Sequence, residues 1–428
     1  MEHLLFAGYL VLFAWLVTRV GFLKNSGLSA PQLVIVFLVK VIAAIFYGWI
    51  GVYYGQLGQM QDTWMYHYES LKEYDLLKND TSEFFSSIFR NTYEDGYAKF
   101  FSTENSWWND LKGTFFVKLL AIFNLFSFGN YYVNVIFYSF ITLFGAVGVY
   151  RIMQNEFPKY KLAVLLSTFL LPSFIYWTSG LHKDGLIFLG VSLMSYSFYF
   201  GLKEGRFSLS RVLMFTIGFV AVLALRNFLI VTVIPAFIAW FLAYKSRFKP
   251  IVVFAAAYVL FILLFFTSKY IHPKLDFPDA VSVKQSEFLK LKGGSSVPVS
   301  PLQPTLRSFV KNSPEAFSLS VLRPYPSDVR HLLSLAAATE TTVLLIFFIV
   351  FLFLSRKNGN HLSPFLLFCI FFSFSVLLMI GYSVNVLGAI VRYRSIVLPF
   401  LVVPMVAKIN WERLGKILSG NIENKNNI

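Results

Sequence analysis

A chain of 428 residues that is 57% hydrophobic and only 14% charged is excluded from the ordinary soluble globular class, which averages roughly 45–50% apolar and about 25% charged residues. A net charge of +15 raises nucleic acid as a partner, but basic residues also collect in the cytoplasmic loops of membrane proteins, and their positions here follow that second pattern. Cys369 is the only cysteine, so no intramolecular disulfide can form.

In chain order, the first apolar run, 4–20, has no basic segment before it and no small-residue cleavage site. It reads as a retained span and not a removable leader. Further runs follow at 31–53, 131–150, 162–178, 186–201, 212–225, 228–244, 250–268, 334–355, 363–382 and 395–408. Each is near the ~20 residues a helix needs to cross the hydrocarbon. The expected fold is therefore all-α and polytopic, a single membrane domain over 1–428 with about eleven spans.

Alternate connections fall into two sets. One is short and basic: Arg19 and Lys24; Arg151, Lys159 and Lys161; Lys203, Arg206 and Arg211; Lys245, Arg247 and Lys249; Arg356 and Lys357; Lys408, Arg413 and Lys416. The positive-inside rule makes this set cytoplasmic, with the amino terminus outside and a cytoplasmic tail over 409–428. The other set holds two long extracytoplasmic loops, 55–130 and 269–333. From 55 to 114 there are ten acidic residues against five basic ones. The apolar stretch 114–130 is interrupted by Lys118 and Asn124, so it is expected to lie in the interface and not to span. Gly, Ser and Pro in KGGSSVPVSPLQP, 292–304, indicate extended chain.

Ionisable residues converge on the outer connections. Asp62, Tyr66 and His67 follow the second span. His182, Lys183 and Asp184 form the tip between spans four and five. Arg226 lies between spans six and seven, Arg323 and Tyr325 before span nine, Glu340 inside it, and Arg392 and Arg394 before span eleven. Any one of these could be a helix anchor or a solvated loop residue. Together they place acids, bases and arginines at one face, where charges at membrane depth are costly and mark a pathway, a partner or a site. Guanidinium and ammonium groups suit a phosphate or pyrophosphate, and a carboxylate beside them suits a general base for a hydroxyl nucleophile. That combination is the chemistry of a lipid-linked phosphosugar. A divalent metal held by Asp62, His67, His182 and Asp184 is the weaker alternative, and no cofactor motif is present.

At these residues a resemblance emerges. The order is D-x-x-x-Y-H at 62–67, P-S-F-I-Y-W-T-S-G-L-H-K-D at 172–184, R-P-Y-P at 323–326 before a span with an internal Glu, and R-Y-R-S-I-V-L-P at 392–399. It resembles bacterial multispan glycosyltransferases of the GT-C superfamily and the Wzy-like oligosaccharide repeat-unit polymerases of surface-polysaccharide loci. The resemblance covers most of the chain by layout and four short motifs by residue. It implies a site on the outer face of the bacterial cytoplasmic membrane, a polyprenyl-linked sugar donor, a glycan acceptor and no nucleic acid. It implies Asp62 as catalytic base, as an acid of the first outer loop, and an interfacial helix at 114–130. The long loop follows the second span here, where many GT-C members carry it after the first. On this reading Lys183 and Asp184 join the catalytic group, with Asp184 orienting Lys183 or His182. His182, Lys183, Arg226, Arg323, Arg392 and Arg394 bind the carrier phosphate, and Tyr66, His67, Tyr325 and Glu340 contact substrate or its partners. Two other readings stay open: a transporter or flippase of lipid-linked glycans, supported by Lys40 and Glu340 inside spans, and a non-catalytic subunit of a surface-assembly complex.

Overall fold

The computed structural model describes residues 2–54, 62–90, 107–291, 293–356 and 362–419. Lys292, Lys357, the loop charges Glu94, Asp95, Lys99 and Glu104, and the tail from 420 lie outside the described residues. Within them the chain is helical, with no strand and two isolated bridges, Ser296 to Val386 and Ser355 to Ile409. Eight helices are long and apolar enough to cross a membrane, or up to ten if each of two bent pairs counts as one span. Every apolar run seen in the sequence is helical, and the run 212–225 falls in a shorter apolar helix, Leu209–Leu225. The chain is an all-α, multi-pass fold.

The helices that matter for the site are α1 (Ala30–Tyr53), α2 (Asp62–Asn79), α3 (Trp107–Ser127), α4 (Tyr131–Glu156), the bent pair α5 (Lys161–Phe169) and α6 (Pro172–Ser179), α7 (Lys183–Lys203), α8 (Leu209–Leu225), α9 (Leu332–Leu354), and the bent pair α10 (Leu387–Arg394) and α11 (Leu398–Lys408). Their starts are written locally. Ser29 and Gln32 form a capping box ahead of α1, and the Asn130 side chain accepts from the Tyr132 and Val133 amides ahead of α4. Gly129, at φ +77°, makes the tight turn from α3 into α4.

The core is built around α4 and α7, each with 78% of its apolar window buried, whereas the outlying α9 has only 17% buried. The exposed Ile346, Leu352 and Phe353 of α9 would be anomalous in water and suit contact with lipid chains. Close helix contact rests on small residues. A Cβ on Gly190 of α7 would stand 2.8 Å from the Gly218 carbonyl of α8, and one on Gly218 would stand 2.5 Å from the Gly190 carbonyl. This is the small-residue packing by which membrane helices approach where no hydrophobic force drives them together.

Two features depart from the sequence reading. First, run 162–178 is not straight, and run 395–408 follows a sharp bend from the helix before it. α5 and α6 meet at 54°, and α10 and α11 at 65°. Pro172 and Pro399, each in the first turn of the second member, supply no amide for continuous helix. Second, α3 is tied into the rest of the protein. It packs along α2, and the two polar residues that argued against a span are internal ties. Buried Lys118 reaches Glu73 at 2.7 Å, Ser87 Oγ at 2.9 Å and the Phe84 carbonyl at 2.6 Å. Asn124 Nδ2 donates to Ser70 Oγ at 3.0 Å.

Candidate active site

α2 brings Asp62 to the centre because its first turn is docked on two other helices. Trp64 Nε1 donates to the Gly48 carbonyl of α1 at 2.8 Å, and the Thr63 and Tyr131 hydroxyls share a hydrogen bond of 2.7 Å. On a helix, positions i and i+4 share a face. Asp62 and Tyr66 therefore look one way, and Thr63 and His67 another. Tyr66 stands edge-on to His182 at 5.7 Å, and the Lys183 ammonium lies 4.7 Å from the centre of the Tyr66 ring.

The tip GLHKDG is not exposed at the surface. His182, Lys183 and Asp184 are all buried, and Asp184 has no exposed side-chain area at all. The tip is tightly seated: a Cβ on Gly180 would meet the Tyr47 ring at 2.2 Å, and one on Gly185 the Thr178 carbonyl and Tyr138 hydroxyl at 2.5 Å. The Tyr138 hydroxyl donates to the His182 carbonyl. The ionisable residues are thus held inside the protein, and each has a partner to offset its desolvation.

Asp184 is the hub. Arg226 Nη2 donates to its Oδ1 at 2.7 Å. His182 Nδ1 lies 2.7 Å from its Oδ2, and Arg392 Nε 3.4 Å from the same oxygen. His182 and Arg392 also reach outward to Asp62: His182 Nε2 stands 3.5 Å, and Arg392 Nη1 3.4 Å, from Asp62 Oδ2. The imidazole and the guanidinium each bridge a fully buried carboxylate to one that is 35% exposed. The Arg226 and Arg392 guanidiniums both lie near the ring of Tyr393, at 4.2 and 5.0 Å, and Arg392 also lies 5.8 Å from the ring of Trp177 on α6. Burial pushes the Asp62 carboxyl up, but contact with His182 and the charge of Arg392 outweigh it and hold the group below the usual carboxylate range.

Asp62 and Arg392 line a cavity of about 840 Å³. Its walls include Phe46 of α1, Tyr176 and Trp177 of α6, Leu333 and Ala337 of α9, and Leu387 of α10, with Gly293 to Ser295 of the second long loop also at its edge. That loop is clipped to the start of α10: Leu387 N donates to the Ser295 carbonyl at 3.1 Å and Val297 N to the Asn385 carbonyl at 3.0 Å. The cavity joins an apolar and aromatic lining to six ionisable side chains, Asp62, Asp328, Arg330, His331, Glu340 and Arg392, a combination suited to a ligand with an apolar part and a charged part.

No known protein family, curated protein or solved structure matches this chain.

The structure therefore brings together Asp62, Tyr66, His182, Lys183, Asp184, Arg226 and Arg392. It gives five other candidates different surroundings. Arg394 turns away from Asp62 and donates to the Arg323 carbonyl at 2.5 Å, the Ser320 carbonyl at 3.4 Å and Thr341 Oγ1 at 2.5 Å. Arg323 pairs with Asp328 at 3.7 Å and lies over the Tyr325 ring at 5.3 Å, and Tyr325 shares a hydroxyl hydrogen bond of 3.0 Å with Ser318. His67 lines a separate cavity of about 430 Å³ beside Trp64 and Tyr131, and burial lowers its pKa to about 4. Glu340 reaches the large cavity, but its Oε1 accepts the Ser173 amide at 3.0 Å.

That last contact has a counterpart. Lys40 Nζ donates to the Thr178 carbonyl at 2.9 Å and to Ser179 Oγ at 3.1 Å. An acid at the amino end of α6 and a lysine at its carboxyl end match the helix macrodipole at both ends. The two charges inside spans hold the short helix that carries Trp177. Among the described residues no three His, Cys, Asp or Glu side chains are grouped so as to hold a metal ion.

Missing from the sequence reading were Tyr138, Trp177 and Tyr393, which position the charged centre, and Arg330 and His331, which line the cavity. Tyr393 stands between the two noted arginines of RYR, and that is the one signal that pointed to it.

Proposed function

We propose that this protein is a membrane glycosyltransferase. It moves a sugar or oligosaccharide unit from a polyprenyl phosphate or pyrophosphate carrier to a growing surface glycan at the outer face of a bacterial cytoplasmic membrane. The observation that carries the reading is the juxtaposition of Asp62 and Arg392, 3.4 Å apart on the wall of the 840 Å³ cavity, with their partners His182 and Asp184 sealed behind them. The short basic connections support an outer location for this face, with the amino terminus outside and the carboxyl terminus inside.

The chemistry follows from what each group can reach. Asp62 is the exposed carboxylate, so it takes the proton of the acceptor hydroxyl. The hydroxyl oxygen forms a bond to the anomeric carbon, and the bond from that carbon to the carrier phosphate oxygen breaks. The electron pair leaves with the phosphate, where fixed positive groups stabilise it without reorganising. A carboxylate held low stays ionised and accepts the proton late, as bond formation makes the hydroxyl acidic. His182 and Asp184 keep Asp62 and Arg392 in register. Lys40 and Glu340, the two charges inside spans that favoured a transporter, also have a structural use as caps of α6.

The test is the glycan banding pattern of a deletion strain complemented with wild type, Asp62→Asn or Arg392→Ala, with protein levels checked by blot. Loss of extended glycan with normal protein is the expected result. A single-unit band left behind identifies block polymerisation, and an accumulating truncated precursor identifies single-sugar transfer. Wild-type banding in both variants would overturn the reading.

A further inference from the structure

The arginines that the sequence offered for a phosphate are already engaged. Arg226 is held by Asp184, Arg323 by Asp328, and Arg394 by two carbonyls and Thr341. Arg392 is shared between Asp62 and Asp184. Two guanidiniums and the Lys183 ammonium, which lies over the Tyr66 ring at 4.7 Å, thus share the centre with two carboxylates. A phosphate arriving there must compete with these existing contacts, and it meets Asp62, which repels it.

Another part of the same cavity wall is different. Arg330 and His331 line it, and Arg330 has no acidic partner among the described residues. Arg330 Nη1 donates to the Gly294 carbonyl at 2.5 Å, which fixes the side chain and leaves its other N–H groups for a ligand. Ser334 Oγ accepts the backbone amides of Arg330 at 2.8 Å and His331 at 2.9 Å. His331 Nδ1 accepts the Ser334 amide at 3.3 Å, so Nε2–H is the remaining donor of the ring. Of the other acids lining the cavity, Asp328 accepts the Tyr325 amide at 2.8 Å and pairs with Arg323, and Glu340 accepts the Ser173 amide at 3.0 Å.

We infer that Arg330 and His331 form the anion-binding station of this cavity and take the phosphate group of the ligand, leaving Asp62 to the acceptor hydroxyl. The inference rests on the transferase reading only for what bears the phosphate, which is either a lipid headgroup or a free phosphate anion.

The test is a binding titration of the purified full chain in a phosphate-free detergent, with three probes: a long-chain polyprenyl phosphate, the corresponding polyprenol, and inorganic pyrophosphate. Charge-assisted hydrogen bonds of this kind are worth about tenfold in affinity or more. Wild type is expected to favour the polyprenyl phosphate over the polyprenol by at least about tenfold. Arg330→Ala is expected to remove most of that preference, and Arg330→Lys part of it. If pyrophosphate alone binds and its binding falls in the same variants, the station serves a free anion. Unchanged polyprenyl phosphate and pyrophosphate affinity in Arg330→Ala and in His331→Ala would overturn the assignment. Arg330 is exposed, so its removal is not expected to unfold the chain. Phosphate binding that depends on Arg330, in a protein that transfers no sugar from any carrier, would keep the station and refute the transferase. Undiminished transfer by Arg330→Ala would do the reverse.

Discussion

Replacing Asp184 and replacing Asp62 should have opposite consequences, although the two carboxylates share His182 and Arg392. Asp184 is fully buried, with contacts at 2.7, 2.7 and 3.4 Å to Arg226, His182 and Arg392. Asp184→Asn keeps the shape and removes the charge, leaving more buried guanidinium than Asp62 can balance. Breaking a buried pair on one side costs about 3–5 kcal/mol, a large share of the roughly 5–15 kcal/mol that holds a typical fold together. Asp62 is 35% exposed and its two contacts are 3.4 and 3.5 Å, so after solvent screening its loss costs about 0–1 kcal/mol. The assay is thermal unfolding of both variants in one detergent, followed by tryptophan fluorescence, beside sugar transfer in membranes. Asp184→Asn should unfold well below wild type. Asp62→Asn should unfold near it and transfer nothing. Asp184→Leu with Arg226→Leu should recover part of the lost stability, since an apolar pair replaces an orphaned charge. An Asp184→Asn protein as stable as wild type, or an Asp62→Asn protein as unstable as Asp184→Asn, would refute the division into a buried hub and a working carboxylate.

Two further outcomes are expected. Burial lowers the His67 pKa to about 4, against an unperturbed value of about 6.5. The unfolded chain therefore binds a proton in a range where the folded chain does not, and stability declines as pH falls from about 6.5 to about 4, by about 3 kcal/mol in all. His67→Phe should flatten that acid limb in an unfolding series at stepped pH, and an unchanged limb would remove His67 as its source. Lys40→Met and Glu340→Gln each uncap one end of α6, costing about 1–2 kcal/mol. Both should lower the unfolding midpoint, and vesicle flux of lipid-linked glycan that vanishes with normal stability would favour transport instead.

The membrane character, the helical runs and the placing of ionisable residues beside them were legible from the sequence because they follow from local composition. A run of ~20 apolar residues has no alternative but helix in a bilayer, and Asp62, His182, Asp184, Arg226 and Arg392 stood out because charge beside such runs is costly. What each charge does was not legible. Asp62 meets Arg392 across 330 positions of chain, Glu340 meets Ser173 across 167, and Lys40 meets Thr178 across 138. Nothing within a few residues of Lys40 or Glu340 distinguishes a helix cap from a transport charge. Nothing near Arg394 says that it points at carbonyls while Arg392, two positions earlier, points at carboxylates. That difference came from the helical turn of α10 and the bend after it. Arg330 and His331 looked like ordinary loop residues until the fold set them on the wall that Asp62 also lines. Sequence by itself determined which segments are solvated by lipid. Tertiary structure alone decided which charges neutralise one another and which remain for a ligand, because pairing energies depend on distances that only long-range packing sets.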